Sequence, residues 1–289
     1  MRADQLTEPV TDHGEGPAWD PERGVLRFVD MLRGDLLSLD VDAGAGAGHW
    51  LERRHVGTVA AVWRPRVGGG GIVALERGFA FVDASGEEVV ELGDLWTDDL
   101  TRMNDGGCDP QGRFYCGSMA YDETPGAGSV YRLDPDLSVH VVLRGVTISN
   151  GLTWSLDGDR AFYADTPTGR IDVFDFDSAA GEFTGRRPFA EIDPERGGPD
   201  GITIDAEGGI WVALWDGSAV HRYAADGTLD QIVELPVTQV TACTFGGPDL
   251  DRLYITTSAR DTEGAQPGAG AIFVVEPGVR GMPPHPYRG

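Results

Sequence analysis

Short hydrophobic segments recur along the chain, and each follows a polar turn rich in Asp, Pro and Gly. The segments contain many aromatic and β-branched residues, as in Val25 to Val29 and Leu253 to Thr256. Short runs of this composition between turns predict β-strands rather than helices. The turns begin at Asp20, Arg64, Asp109, Ser155, Asp205 and Gly246, and the Arg64 copy is degenerate. A steady period of about 45 residues indicates an array of structural repeats.

Each repeat continues into a second hairpin with its own turn. These hairpins cover residues 35–51, 79–92, 129–143, 170–189, 219–235 and 271–275, and the last lacks its return strand. Two hairpins give four antiparallel strands, which form one blade of a β-propeller. We therefore predict an all-β, six-bladed β-propeller with four antiparallel strands per blade. It is expected to form a single domain over residues 1–289, with a C-terminal tail at about 278–289.

The incomplete last blade would leave an open strand edge, which invites aggregation. The segment Gln5 to Val10 precedes the first repeat and is free to supply the missing strand. We predict that an N-terminal strand at about 5–10 pairs there and closes the ring. A disordered leader is the alternative.

One position can be compared across all six repeats because the repeats are equivalent. It lies five residues before each turn, at the entry to the innermost strand, and faces the central channel. Its occupants are Glu15, Val59, Asn104, Asn150, Asp200 and Thr241. The carboxylate and amide side chains among them are expected to converge at one mouth of the channel.

Two buried carboxylates near a common axis repel each other, and one of them would have to take up a proton. A divalent cation removes this cost, and amide oxygens from Asn150 and Asn104 would complete an oxygen-only shell. Because the position holds no Cys or His, a closed structural zinc site is disfavoured, and Ca²⁺, Mg²⁺ or Mn²⁺ suit the donors better. The alternative is that these polar residues cap strands or line a water-filled channel.

The net charge and the composition exclude several classes of function. The net charge is −24, and all 23 basic residues are arginine, so nucleic-acid binding is not expected and lysine Schiff-base chemistry is excluded.

No apolar run of 18 residues and no secretory leader occurs, so we predict a cytoplasmic protein without a membrane partner. We expect a monomer. The three cysteines are predicted to be buried free thiols: Cys108, Cys116 and Cys243.

Five short segments resemble the senescence-marker-protein/gluconolactonase/regucalcin family. They are residues 14–19 (GEGPAW), 102–106 (RMNDG), 148–155 (ISNGLTWS), 198–202 (GPDGI) and 243–247 (CTFGG), which occur in the family's order over nearly the whole chain. The resemblance implies that Glu15, Asn150 and Asp200 bind one divalent metal. It also implies that Arg102 and Asn104 contact the substrate.

The family's acidic substrate contact lies on the loop after Gly-Ser-Met. In this chain Tyr121 stands where an acid is common and Asp122 follows it, so the contact falls on one of these two residues. Segment 120–128 is expected to be either a lid over the mouth or a plain hairpin connection.

The resemblance implies metal-dependent hydrolysis of a sugar lactone, such as glucono-, xylono- or arabinolactone, to the aldonic acid. Asp200 would be the general base, and Arg102 would hold substrate oxygens. The metal is one of Ca, Mn, Mg, Zn or Fe, with Ca favoured by the oxygen-only ligands. The alternatives are a metal-dependent esterase or phosphotriesterase and a non-catalytic calcium-binding regulatory protein.

Two side chains near the expected site allow a second interpretation. Arg102 could instead form a surface ion pair with Asp98 or Asp99. His13 lies two residues before Glu15 and could reach the rim of the site or remain a solvated loop residue.

Overall fold

The computed structural model of the protein describes residues 1–41, 51–262 and 266–289. Within these ranges the chain forms 24 β-strands, no α-helix and three 3₁₀ helices, at Met31–Arg33, Thr166–Thr168 and Pro194–Arg196. None of the described helices is long and apolar enough to cross a membrane. The strands lie in six four-stranded sheets, which confirms the predicted six-bladed β-propeller.

Five blades consist of four consecutive strands, paired antiparallel in chain order. Blade 1 contains β2 (Gly14–Asp20), β3 (Val25–Asp30), β4 (Asp35–Leu39) and β5 (Leu51–His55). Blade 2 contains β6 (Ala60–Pro65), β7 (Gly71–Leu75), β8 (Gly78–Val82) and β9 (Val89–Asp94). Blade 3 contains β10 (Thr101–Cys108), β11 (Phe114–Ala120), β12 (Gly128–Leu133) and β13 (Val139–Val146).

Blade 4 contains β14 (Ser149–Trp154), β15 (Arg160–Asp165), β16 (Arg170–Asp177) and β17 (Glu182–Glu191). Blade 5 contains β18 (Gly198–Ile204), β19 (Ile210–Trp215), β20 (Ala219–Tyr223) and β21 (Leu229–Glu234). The predicted hairpin at 35–51 is present as β4 and β5, and its turn, residues 42–50, lies outside the described residues.

The N-terminal strand closes the ring, as predicted. Blade 6 contains β22 (Val240–Gly246), β23 (Arg252–Thr257), β24 (Phe273–Val275) and β1 (Asp4–Gln5). Regular pairing covers only two residues of β1, and the chain then continues along the blade through hydrogen bonds such as that from the Val10 N–H to the Gly270 carbonyl, at 3.0 Å. The N–H groups of Leu6 and Thr7 both donate to the Ile272 carbonyl, which ends the regular ladder, and Pro9 has no N–H to donate.

Burial differs between the inner and outer strands of each blade. The innermost strands β2, β6, β10, β14, β18 and β22 contact one another in a closed ring. The second strands are also covered by neighbouring blades on both faces, so all of β3 is buried, whereas most of the outermost strand β13 is exposed. This explains why the sequence shows short continuous hydrophobic runs rather than strict alternation.

The C-terminal tail covers the far end of the channel. Residues Met282 to His285 line a cavity of about 90 Å³ there, together with residues from the later parts of the innermost strands. The tail bonds to blade 5 through the Ala206 N–H and to blade 2 through the Pro65 carbonyl. The Tyr287 ring is fully buried, and its hydroxyl donates to the Asp134 carbonyl at 2.8 Å. The tail is therefore an integral part of the propeller.

Replacing Tyr287 by alanine is expected to lower the free energy of unfolding by roughly 3–5 kcal/mol, because a buried aromatic ring is lost and a cavity remains. Tyr287→Phe keeps the ring and should cost only about 1 kcal/mol, for one lost hydrogen bond. Urea denaturation measures both values. A Tyr287→Ala variant as stable as Tyr287→Phe would show that the tail is not part of the stable core.

Candidate functional site

A pocket of about 260 Å³ lies at the mouth of the channel near the first residues of the innermost strands. Six of the seven residues proposed from the sequence line it: Glu15, Arg102, Asn104, Tyr121, Asn150 and Asp200. The seventh, Asp122, is not among the lining residues. Val59 and Thr241 hold the equivalent position in the other two repeats and are buried away from the pocket. The four carboxylate and amide side chains of the repeat comparison thus share one pocket.

A β-bulge lies at or next to this position in each of the four strands. The pairing register shifts between Glu15 and Ala18, Met103 and Gly106, Ser149 and Leu152, and Pro199 and Ile202. A bulge interrupts the ladder and re-aims side chains. The same shift lies in β6 beside Val59 and at Thr241 in β22, so it is a shared feature of the repeat rather than of the pocket residues alone. Gly201, which follows Asp200, allows blade 6 to pack closely against β18, because a Cβ on Gly201 would lie 2.4 Å from the Ala242 Cβ.

Two carboxylates lie in the pocket with almost no exposure to solvent, 2% for Glu15 and 4% for Asp200. Burial, followed by the negative charge of Asp105, raises the pKa of Glu15 to about 8. Burial, followed by the charge of Glu15, raises the pKa of Asp200 well above its usual value. The Gly16 N–H, which donates to Glu15 Oε2 at 2.8 Å, offsets part of this cost. Without a cation, the two groups are therefore difficult to ionise together.

Two side-chain oxygen atoms of the pocket have no hydrogen-bond partner among the described residues. Asn150 Oδ1 and Asp200 Oδ1 are buried and accept no hydrogen bond from the described residues, which is rare for buried acceptors. Within the same ranges no group of three or more His, Cys, Asp or Glu side chains could hold a metal. A cation here would therefore need the amide oxygen of Asn150 beside Glu15 and Asp200. These hard oxygen donors fit the divalent cation expected from the sequence.

Asn104 differs from Asn150, because both polar atoms of its side chain form hydrogen bonds. Its Oδ1 accepts from Arg102 Nη1 at 2.7 Å, and its Nδ2 donates to the Ser149 carbonyl at 2.9 Å. Arg102 is buried and also donates to the Met103 carbonyl at 3.0 Å. These bonds, rather than an ion pair with a surface aspartate, hold the guanidinium group against the pocket.

The loop joining β11 to β12 contributes two side chains to the pocket, Tyr121 and Glu123. Tyr121 lines it, and its hydroxyl donates to Glu76 Oε1 at 2.6 Å. Asp122 instead accepts hydrogen bonds from the backbone N–H and the hydroxyl of Thr124, at 3.1 and 2.8 Å. Glu123 lines the pocket, and the sequence comparison did not identify it. The acid that this loop presents to the pocket is therefore Glu123 rather than Asp122.

His13 also lines the pocket, and its Nδ1 lies 2.9 Å from Ser258 Oγ. Desolvation, followed by the positive charges of Arg102 and Arg260, lowers the pKa of His13 to about 3. The imidazole is therefore neutral near pH 7. Arg260 and the adjacent Asp261 complete this side of the rim, and no motif in the sequence had indicated them.

A third buried carboxylate, Asp105, lies beside the site. Its Oδ1 accepts from the Gly106 N–H at 2.7 Å and lies 3.9 Å from Arg64 Nη2. Its charge raises the pKa of both Glu15 and Asp200. The repeat comparison missed it because Asp105 is one residue past the compared position, inside the bulge of β10.

Known proteins are similar to this chain in sequence and in fold. Residues 13–259 match the family model described as the SMP-30/Gluconolactonase/LRE-like region. The chain is 35% identical over 297 residues to regucalcin of Danio rerio, covering 100% of this chain and 99% of that protein. It is 35% identical over 287 residues to pentonolactonase XacC of Haloferax volcanii, covering 93% and 92%. The crystal structure of a calcium-binding protein, regucalcin, from Agrobacterium tumefaciens superposes with a TM-score of 0.91 at 28% identity, covering 100% and 98%.

Proposed function

Because the chain belongs to the SMP-30/gluconolactonase/LRE-like family, which includes lactonases, we propose that it hydrolyses a sugar lactone, an aldonolactone, to the aldonic acid with the help of a divalent metal. One observation carries the proposal. Two buried oxygens, on Asn150 and Asp200, accept no hydrogen bond from the part of the chain that the structure describes, and they share an open pocket with the buried carboxylate of Glu15.

Glu15, Asn150 and Asp200 would hold the metal, and Ca²⁺ suits this oxygen-only set. When bound, such a cation polarises a carbonyl group and lowers the pKa of a coordinated water. Support for calcium also comes from the name of the similar Agrobacterium tumefaciens structure, which describes a calcium-binding protein.

Asp200 is proposed as the general base, because its carboxylate faces the pocket with one oxygen that accepts no other hydrogen bond from the described residues. The lactone is an internal ester. The water oxygen bonds to the carbonyl carbon, the ring C–O bond breaks, and the proton taken by Asp200 passes to the departing ring oxygen. The product carries a new hydroxyl group and a carboxylic acid.

Arg102, fixed by its bond to Asn104, would donate to the ring or exocyclic oxygens of the lactone. Tyr121 and Glu123, which line the pocket from the loop after β11, would contact substrate hydroxyls. Asp122 is not proposed for this role, since its carboxylate accepts from Thr124 instead.

The charges on the rim favour an uncharged substrate rich in hydroxyl groups. Apart from the proposed metal ligands, two guanidinium groups, Arg102 and Arg260, and two carboxylates, Glu123 and Asp261, line the pocket. Donors and acceptors are thus balanced, which suits a polyhydroxylated ring better than an anionic ester. We keep the expectation of a cytoplasmic monomer.

The experiment is a proton-release assay of the purified protein with Ca²⁺ over glucono-, xylono- and arabinolactone, an aryl ester and a phosphotriester. We expect catalysed hydrolysis of at least one aldonolactone above its spontaneous rate. Turnover confined to the aryl ester or phosphotriester would replace the lactonase by a metal-dependent esterase or phosphotriesterase. Tight Ca²⁺ binding with no turnover would favour a non-catalytic calcium-binding protein, and the similar Agrobacterium tumefaciens structure is described as a calcium-binding protein.

A further inference from the structure

We propose that Thr166 is a positioning residue that turns the Asn150 side chain so that its amide oxygen, rather than its nitrogen, faces the cation. This inference rests on the proposed metal site. Thr166 lines the pocket and is the first residue of the 3₁₀ helix that follows β15. Its hydroxyl lies between Asn150 of blade 4 and Pro199 of blade 5, the residue before Asp200.

The direction of two hydrogen bonds determines the orientation of the amide. The Thr166 hydroxyl donates to the Pro199 carbonyl at 2.8 Å. A hydroxyl has a single proton, so Thr166 Oγ1 can only accept from its other neighbour. That neighbour is Asn150 Nδ2, at 2.9 Å. The amide nitrogen must therefore face Thr166, and the oxygen is left free.

The opposite orientation of the amide would be unfavourable. With Oδ1 facing Thr166, two acceptor atoms would meet unless the hydroxyl proton left the Pro199 carbonyl. Pro199 is buried, so that carbonyl would lose a hydrogen bond in a place with little access to solvent. The observed orientation agrees with the absence of any hydrogen bond to Asn150 Oδ1 from the described residues.

Thr166 is itself held in place by its surroundings. Its backbone N–H donates to the Ile148 carbonyl at 3.1 Å. Its methyl group packs so closely against Gly198 that a Cβ there would lie 2.9 Å from Thr166 Cγ2. The hydroxyl is therefore placed in advance, and it connects the strands that carry two of the three proposed ligands.

The experiment compares three variants of the full chain after removal of metal by a chelator, with Ca²⁺ affinity measured by calorimetric titration. Thr166→Val keeps the shape of the side chain but loses the hydroxyl, and we expect its Ca²⁺ affinity to fall roughly ten- to a hundredfold, as for other residues that orient metal ligands. Thr166→Ser restores the hydroxyl and should bind within about threefold of the wild type. Thr168→Val is the matched control, because its hydroxyl donates to the Asp165 carbonyl in the same 3₁₀ helix and does not line the pocket.

Wild-type affinity in Thr166→Val would overturn the inference, as would a Thr166→Ser variant as weak as Thr166→Val. An equal loss in Thr168→Val would attribute the effect to the helix rather than to Asn150. A wild-type protein that binds no Ca²⁺ would overturn the inference together with the metal site. If Ca²⁺ binding responds as expected but no lactone is hydrolysed, the positioning role stands and the proposed function fails.

Discussion

Asp200→Asn is expected to lower kcat/KM for an aldonolactone roughly a thousandfold, because the substitution removes both the proposed general base and one charged metal ligand. Without metal, the Asp200→Asn variant should be at least as stable as the wild type without metal. Asp200 is one of three buried carboxylates that repel one another, with Glu15 and Asp105, and asparagine removes one of these charges. Activity, Ca²⁺ titration and thermal unfolding in chelator measure the three effects.

Asp205→Asn is the matched control in the same blade. Asp205 is fully buried, but its Oδ2 accepts from Arg222 Nε at 2.7 Å and from Trp211 Nε1 at 2.9 Å. Neutralising it should cost roughly 3 kcal/mol of stability, because the ion pair of a buried arginine is weakened. The folded fraction should keep its Ca²⁺ affinity and turnover. An Asp200→Asn variant that binds Ca²⁺ as the wild type does would contradict the assigned ligand set.

Chelation of divalent metal is expected to reduce lactone turnover by at least about a hundredfold, and added Ca²⁺ should restore it. The physical reason is that Glu15 and Asp200 are buried together, and the nearby positive charge of Arg102 does not keep the pKa of either carboxyl from being raised. Ca²⁺ at a hundred times its dissociation constant should also stabilise the fold by about 2.7 kcal/mol. Thermal unfolding with and without Ca²⁺ measures this shift, which Asp200→Asn should lack.

Adding Mg²⁺, Mn²⁺, Zn²⁺ or Fe²⁺ to the chelated protein under the same conditions would rank the metals by the lactone turnover that each restores. Oxygen-only ligands predict that Ca²⁺, Mg²⁺ or Mn²⁺ restores activity better than Zn²⁺. Equal turnover in chelator and in Ca²⁺ would show that hydrolysis does not use the metal.

The blades could be predicted from the sequence because strand and turn signals act locally. Each turn begins with residues that form it directly, as where the Gly112 N–H donates to the Asp109 carbonyl at 2.9 Å. The degenerate turn after Arg64 was still found, because its spacing matches the other repeats. The exact extent of the N-terminal strand was not predictable, since it depends on pairing with β24 at the other end of the chain.

In the loop after β11, the sequence did not predict which side chains line the pocket. Tyr121 and Asp122 were the candidates, yet Glu123 lines the pocket and Asp122 does not. Glu123 has a φ of 58°, in the left-handed region, which redirects the chain at this residue. Nothing in the motif encodes that backbone angle. Asp105 was missed for a related reason, since the β10 bulge changes the simple alternation of strand side chains.

Local sequence patterns were sufficient to predict the number of blades, the closure of the ring and the strand position that carries Glu15, Asn104, Asn150 and Asp200, because repeats place equivalent residues at equivalent depths. Which atoms face the pocket depends instead on contacts that form in the folded protein. Both polar atoms of Asn104 form hydrogen bonds, whereas Asn150 Oδ1 accepts none within the described ranges. The difference arises because Asn104 accepts from Arg102 in its own strand and donates across to blade 4, whereas Asn150 donates to Thr166, and no local pattern distinguishes these partners.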